Sequence, residues 1–582
     1  MTTRSIFTAA LLAALGWPMP GNAAAAPVAP PSTVPAADFF SFPTMSGASI
    51  SPDGRHVAVL VRNTAGRRQV AVLDTADLSK FKIVASFAEF DISWAQWVDD
   101  SSLVFSIGDE SASAYGQRGS GLYAIGIDGE EMRTLINFQG ESSQTGTMIK
   151  SHSLSPYRYS FGQRLHDGSG DIVVEHWGET LVLGNYGSQW TGNAPIRMNV
   201  RTGAMTEMGS KWPDHVFHWE VDAQGRVRAA MQYKDGQTSL LVRDDAGEWH
   251  ARSQFASYRR GAADAVLHSI GADGQAYVTR PHGEEGAEAL YRYDLTTGKS
   301  DDQPIVSAKG FDIDDSLVED YKNHKVLGVH YEADAAGTAW FDPGMKALQA
   351  KVDAHLPGFV NRIDPADCGC APRVLVTAHS DHQPPLYFLY DRASDTLIPF
   401  GAARSKIDRR QMADTDFVRI KARDGHDLPV YVTKPHGKGP WPTVVLVHGG
   451  PWVRGWHWGW DGESQFLASR GYLVVKPEFR GSAGYGAALA DSGRKQWGLK
   501  MQDDIADATI WAAQQGLEDP KRTCIMGGSY GGYATLIGLV RYPDLYRCGV
   551  AYAAVTDINL MYDVAWSDAS PQFKSFGMPE LI

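Results

Sequence analysis

The residues best suited to chemistry lie between Lys521 and Tyr533, KRTCIMGGSYGGY. Ser529 stands inside a G-x-S-x-G pattern, with Gly527 and Gly528 before it and Gly531 and Gly532 after it. Thr523 to Met526 is a short apolar run suited to a buried parallel strand, and Ala534 to Leu539 is apolar and helix-compatible. Strand, tight glycine turn and helix together form the setting in which a serine hydroxyl is pushed out of a sheet as a nucleophile. Side chains at 527 and 531 would collide with neighbouring backbone on such a turn. The helix begins beside the serine, so its first amides can hold a developing oxyanion. With 60 glycines in 582 residues the bare pattern is weak. The doubled glycines and the flanking elements carry the inference.

A second motif stands about 80 residues upstream, where such hydrolases place the other half of an oxyanion hole. TVVLVHGGP (443–451) reads as a buried strand running into His448-Gly449-Gly450-Pro451. Glycine there lets a backbone amide come within hydrogen-bond reach of a substrate oxygen. A plain strand-to-helix turn also favours glycine, so it is the pair of motifs that points to acyl transfer. Trp452, Trp456, His457, Trp458 and Trp460 follow directly. They suit packing beneath a second domain better than they suit a substrate pocket.

Two large regions must position these residues, because 582 residues exceed one core. From 39 to 405, short alternating strands are joined by polar turns, as in Ser51-Pro52-Asp53-Gly54 followed by HVAVLVRN. Degenerate strand repeats of this kind predict a β-propeller, and at ~45–50 residues per blade about seven blades. A string of sandwich domains is the alternative. Acidic pairs such as Glu130-Glu131 and Glu284-Glu285 read as solvated turn residues and receive no role. After a polar stretch near 406–414 the rhythm changes. FVRIKARDGHDLPVYVTKP (417–435) reads as a hairpin turning at Asp424-Gly425, and GYLVVKPEFRGSAGYG (471–486) as a strand and loop. Met501, Ile505, Ala508 and Ala512 recur at helical spacing. Strands alternating with helices predict an α/β domain over 406–582.

The net charge of −13 argues against a nucleic-acid partner. Residues 1–26 read as an export signal, with Arg4, the apolar run Ile6 to Leu15 and small residues at Ala23 to Ala26. Residues 27–38 read as a spacer, and no later stretch approaches a membrane span. The protein is therefore expected outside the cytoplasm, periplasmic or secreted. Cys524 and Cys548 on apolar runs suggest buried thiols, and Cys368-Gly369-Cys370 a pair that can oxidise. No histidine or cysteine set has zinc spacing, and no cofactor or metal is expected.

With these motifs together, the chain resembles the prolyl oligopeptidase family of serine peptidases, particularly its acylaminoacyl-peptidase and dipeptidyl-peptidase-like branch. The residues that carry the resemblance are Asp424-Gly425, HGGP at 448–451, FRGSAGYG at 479–486 and GGSYGGY at 527–533, with SPDG at 51–54 fitting the family's propeller. The resemblance implies that Ser529 is the acylated nucleophile and that the amides of Tyr530 and Gly450 form the oxyanion hole. It also implies hydrolysis of short peptides, with the propeller restricting access of folded proteins.

One departure matters. The order expected is serine, acid, histidine, yet His457 is the last histidine and precedes Ser529. Asp557, Asp563 and Asp568 come too early for the acid. The resemblance places both acid and histidine beyond Ile582, so the hydrolase region is expected to be an incomplete copy of a longer domain. An exported esterase with the same elbow, or a non-catalytic propeller-based binding protein, are the competing readings.

Overall fold

Strand after strand in the N-terminal region is buried on both faces, which fixes how the blades stack. In blade 1, Val57, Val59, Ala71 and Leu73 pack against Leu375, Tyr387 and Leu389 of blade 7. On the opposite face of the same strands, Ala58, Leu60, Val70 and Val72 pack against Ile92, Leu103 and Phe105 of blade 2. Repeated around a ring, this gives seven sheets over 45–85, 91–136, 159–207, 216–256, 266–300, 317–340 and 360–402. Six have four strands and the sheet over 317–340 has three. The seven-bladed propeller expected from the repeats is what forms. The computed structural model describes residues 34–112, 121–138, 154, 158–182, 187–562 and 573–582. The export signal read at 1–26 and the residues Asp563 and Asp568 lie outside the described residues.

The stretch read as a spacer does not stay extended at its end. Ala36–Phe40 forms a short helix, α1, and the expected boundary at 38/39 falls inside it. Phe39 is buried against Trp460 (ring centroids 6.4 Å, stacked) and Phe466, beside Ile407 and Met412. The chain therefore touches the second domain before it enters the propeller. A helix over Pro343–His355, not foreseen, separates the last two blades and is capped by Asp342, which accepts from Met345 N.

The second domain is a six-stranded sheet. Its strands are β1 (Asp414–Lys421), β2 (Asp427–Lys434), β3 (Trp441–Val447), β4 (Leu473–Pro477), β5 (Glu518–Gly528) and β6 (Cys548–Tyr552), in the order β1-β2-β4-β3-β5-β6. The first two pair antiparallel, as the turn at Asp424-Gly425 predicts. β4, β3, β5 and β6 run parallel. Helices α2 (Gly462–Ser469), α3 (Ala487–Ser492), α4 (Lys500–Gln514) and α5 (Tyr530–Arg541) connect them. Met501, Ile505, Ala508 and Ala512 form the inner stripe of α4 and lie against Val445, Val475 and Ile525 of the sheet. This is the α/β-hydrolase arrangement.

Cys524 and Cys548 correct the thiol reading: they are bonded to each other. β5 and β6 pair in register, so the two residues face across neighbouring strands with Cα atoms 4.7 Å apart. Each strand read alone hides that register. Cys368 and Cys370 are likewise joined.

The two domains meet through turns that link the second and third strands of blades 5, 6 and 7. Ala487 and Ala488 N–H donate to Gly286 and Glu285 carbonyls. Arg454 donates to the Glu332 and Ala333 carbonyls at 2.8 and 2.5 Å. Asp381 accepts from Thr415 N at 2.8 Å. At the opposite end of the ring, turns from blades 3, 6 and 7 meet. Arg164 forks onto Asp367 (3.2 and 2.5 Å), and the His166 ring stacks on Tyr321 with centroids 3.4 Å apart. Blade 3 is no neighbour of blades 6 or 7, so these contacts cross the ring's axis. No helix among the described residues is long and apolar enough to cross a membrane.

Candidate active site

Ser529 occupies the junction of β5 and α5 with φ +56° and ψ −119°. A serine in this region of backbone space is strained and persists only when its surroundings over-determine it. They do: Ser529 N donates to Tyr552 O at 3.1 Å, and its carbonyl accepts from Tyr533 N at 3.1 Å and Val555 N at 3.4 Å. Its side chain is exposed. The glycines have the reason the sequence suggests. A Cβ on Gly531 would lie 2.1 Å from the Val447 carbonyl, and one on Gly527 would lie 2.6 Å from both Val447 O and Gly531. The parallel register that sets Val447 opposite Gly527 brings β3 that close.

The HGGP loop lies beside the serine. A Cβ on Gly449 would sit 3.3 Å from Ser529 Cβ and 3.9 Å from its Oγ. Gly450 has φ +112°, a conformation that side chains rarely adopt. Among the described residues, neither Gly450 N–H nor Tyr530 N–H donates to another group. Unengaged amides at Tyr530, next to the exposed serine, and at Gly450, next to the glycine that abuts it, can stabilise charge that develops on a carbonyl oxygen. The Tyr530 ring is fully buried in a cage of Phe479, Trp497 and Tyr533. It anchors the first turn of α5.

No described side chain is hydrogen-bonded to Ser529 Oγ. Asp557 is exposed on a later turn, where it accepts from Asn559 N at 2.9 Å. The aromatic run after Pro451 packs. Trp452 meets Trp497 and Phe573, Trp458 donates to Thr415 O, Trp460 stacks on Phe39, and His457 pairs with Glu332 at 2.6 Å. The pair Glu284-Glu285 lies on a turn that borders a cavity of about 410 Å³, together with His282, Glu288 and Lys309.

Asp381, His382 and Asp414 are the described residues whose donor atoms lie close enough to share a cation. Their donors are already committed to one another: His382 Nδ1 meets Asp381 at 2.9 Å and Nε2 meets Asp414 at 2.8 Å. This reads as a tie between blade 7 and β1, not a vacant metal centre. Sequence reading missed it, because 382 and 414 meet only once the domains dock.

Glu518, at the start of the nucleophile strand, is buried and accepts from Thr523 Oγ1 at 2.7 Å; its other oxygen has no partner. Burial pushes its carboxyl up to about 7, against that hydrogen bond. Between the ordinary carboxyl value and 7 the folded chain therefore holds a proton that the unfolded chain has lost, so stability falls as pH rises through this window. Glu518→Gln is expected to remove the fall and to exceed the wild type at pH 8 by up to ~3 kcal/mol. Thermal unfolding at pH 5 and pH 8 checks this. An unchanged pH slope in the variant would contradict it.

Residues 458–580 match the prolyl oligopeptidase family. Dipeptidyl aminopeptidase BIII of Pseudoxanthomonas mexicana is 28% identical over 559 residues, covering 92% of this chain and 73% of that protein. Among solved structures, a puromycin-hydrolyzing peptidase of Mycobacterium tuberculosis superposes with TM-score 0.63 at 17% identity, covering 95% of this chain and 83% of that one. Dipeptidyl peptidase 4 of Porphyromonas gingivalis superposes with TM-score 0.60 at 16% identity, covering 94% and 88%.

Proposed function

We propose that this chain, whose residues 458–580 match the prolyl oligopeptidase family, is a serine peptidase of that family in which Ser529 Oγ attacks the carbonyl of short peptides and forms an acyl-enzyme. The tetrahedral oxyanion is held by Gly450 N–H and Tyr530 N–H. As the C–N bond breaks, the proton lost from Ser529 Oγ goes to the leaving amine, and water then hydrolyses the acyl ester and returns a proton to Oγ. The supporting observation is the strained Ser529 turn set within 3.3 Å of the position a Gly449 side chain would take. The likeness to a dipeptidyl aminopeptidase over 92% of the chain favours an N-terminal dipeptide as the acyl group. Export belongs to the same proposal. It is supported by the N-terminal pattern and by two disulfides, which suit an oxidising compartment.

The test compares three substrates on one preparation: a dipeptidyl anilide with a free amine, its N-acetylated counterpart and a simple acyl ester. Fastest turnover of the free-amine dipeptide is expected. Fast ester turnover beside negligible anilide turnover would replace this reading with an esterase. The absence of a described base beside Ser529 Oγ favours a second reading, a binding protein without turnover. Peptide binding with no acyl adduct in intact-mass spectra would support it.

A further inference from the structure

Two buried side chains, His448 of the HGGP loop and Glu478 beneath it, take no part in the mechanism above. Glu478 follows β4 and is wholly buried. Its Oε1 accepts from Trp456 N at 2.7 Å and from the Tyr485 hydroxyl at 3.3 Å. Its Oε2 accepts from Gly455 N at 3.2 Å and faces His448 Nε2 at 3.2 Å. That nitrogen also meets Ser482 Oγ at 3.0 Å. The imidazole is stacked on Phe479 at 4.4 Å and backed by Gly455, where a Cβ would fall 2.1 Å from the ring. The ring is held between Phe479 and the Gly455 backbone.

Its other nitrogen, Nδ1, lies 2.7 Å from the Gly449 carbonyl oxygen. A carbonyl oxygen only accepts, and so does the Glu478 carboxylate facing Nε2, so both ring nitrogens carry hydrogens and Nδ1 donates to Gly449 O. The peptide between Gly449 and Gly450 is trans. In a trans peptide the C=O and N–H of the same plane point in opposite directions. Fixing Gly449 O thus fixes the direction of Gly450 N–H, and a donor on the oxygen also polarises the amide and strengthens its N–H.

We propose that His448 and Glu478 are positioning residues for the oxyanion donor: Glu478 locks the imidazole, and the imidazole Nδ1–H locks the Gly449–Gly450 peptide so that Gly450 N–H faces the reacting carbonyl. This rests on the acyl-transfer reading of Ser529. Burial pushes the Glu478 carboxyl up, but His448 and the amides of Trp456 and Gly455 outweigh it and hold the carboxyl below its usual range. A carboxylate therefore stands beneath the loop.

The experiment uses the full chain carrying Ser529→Cys, because a thiolate acts with less help from a base and the four native cysteines are paired. Two reactions are timed at pH 8. In the first, the sulfur attacks the carbonyl of p-nitrophenyl acetate, the S–C bond forms, and the C–O bond breaks to release p-nitrophenolate; an oxyanion develops. In the second, the sulfur displaces iodide from iodoacetamide at a saturated carbon, and no oxyanion develops. Glu478→Gln is expected to slow acylation roughly tenfold and His448→Phe roughly a hundredfold. Alkylation should stay within about twofold on the same reasoning. His448→Asn, whose amide can stand where Nδ1–H stands, should recover most of the loss seen with phenylalanine.

Equal slowing of both reactions, or acylation unchanged in Glu478→Gln and His448→Phe, overturns the proposal. A separate control guards the premise. If Ser529→Cys is acylated no faster, relative to alkylation, than Ser79→Cys on an exposed blade turn, the acyl-transfer reading itself fails and takes this inference with it.

Discussion

Ser529→Ala is expected to abolish covalent capture of the protein by a fluorophosphonate, a loss limited only by detection. Such probes need a hydroxyl held clear of the sheet and facing donors for the phosphonyl oxygen. Among the described residues that geometry occurs at the turn with φ +56° that Gly531 and Gly527 permit. The rate of capture in the wild type reports how well the proton is removed. Its disappearance in the variant reports where the bond forms, and the two questions separate cleanly. Intact mass before and after labelling, with the modified peptide sequenced, checks the outcome. Label on any residue other than Ser529, or label surviving the substitution, would sink the assignment. The alanine removes one exposed oxygen and leaves the turn's hydrogen bonds intact, so the fold should not change.

The largest expected loss of stability lies at Arg480, in the motif that links the sheet to α3. The residue is 4% exposed, and its side chain forks onto Asp504, with Nε to Oδ2 at 2.7 Å and Nη2 to Oδ1 at 2.6 Å. Its remaining reach goes to Asp424 in the β1–β2 turn, at 3.0 and 3.1 Å. Burial works against the guanidinium's charge, but the two carboxylates outweigh it and hold it more firmly protonated. Burial likewise pushes the Asp504 carboxyl up despite the pairing. Removing one partner of such a group leaves a buried charge without compensation, which costs about 3–5 kcal/mol. Arg480→Ala should therefore lower the unfolding midpoint of the hydrolase domain sharply. Replacing Arg480 and Asp504 together by apolar residues of similar volume should restore much of it. A calorimetric shift in Arg480→Ala equivalent to under about 1 kcal/mol would show that the fork contributes little.

How much of this was readable beforehand depends on how local the signal is. The strand, glycine turn and helix around Ser529, the Asp424-Gly425 turn, the α4 stripe and the seven blades are written in spacings of a few residues, and each of these local structures forms. Groups that depend on strand register or domain docking were not readable. Cys524 and Cys548 face each other only because β5 and β6 run parallel in one particular register. Asp381, His382 and Asp414 meet across a domain boundary. Glu478 carried one faint signal, a charged residue inside the apolar run GYLVVKPEF, since a carboxylate there must find partners or destabilise the sheet. The helix at Ala36–Phe40 was hidden by the prolines before it, and its order comes from Trp460 far along the chain.

A toroid of seven blades has a bore, and in this protein the far mouth of that bore is spanned by two contacts. Arg164 gripping Asp367 and His166 lying flat on Tyr321 stretch from one rim to the other, on the side away from the hydrolase. Anything entering by that mouth must first part the Arg164–Asp367 fork and slide His166 off Tyr321.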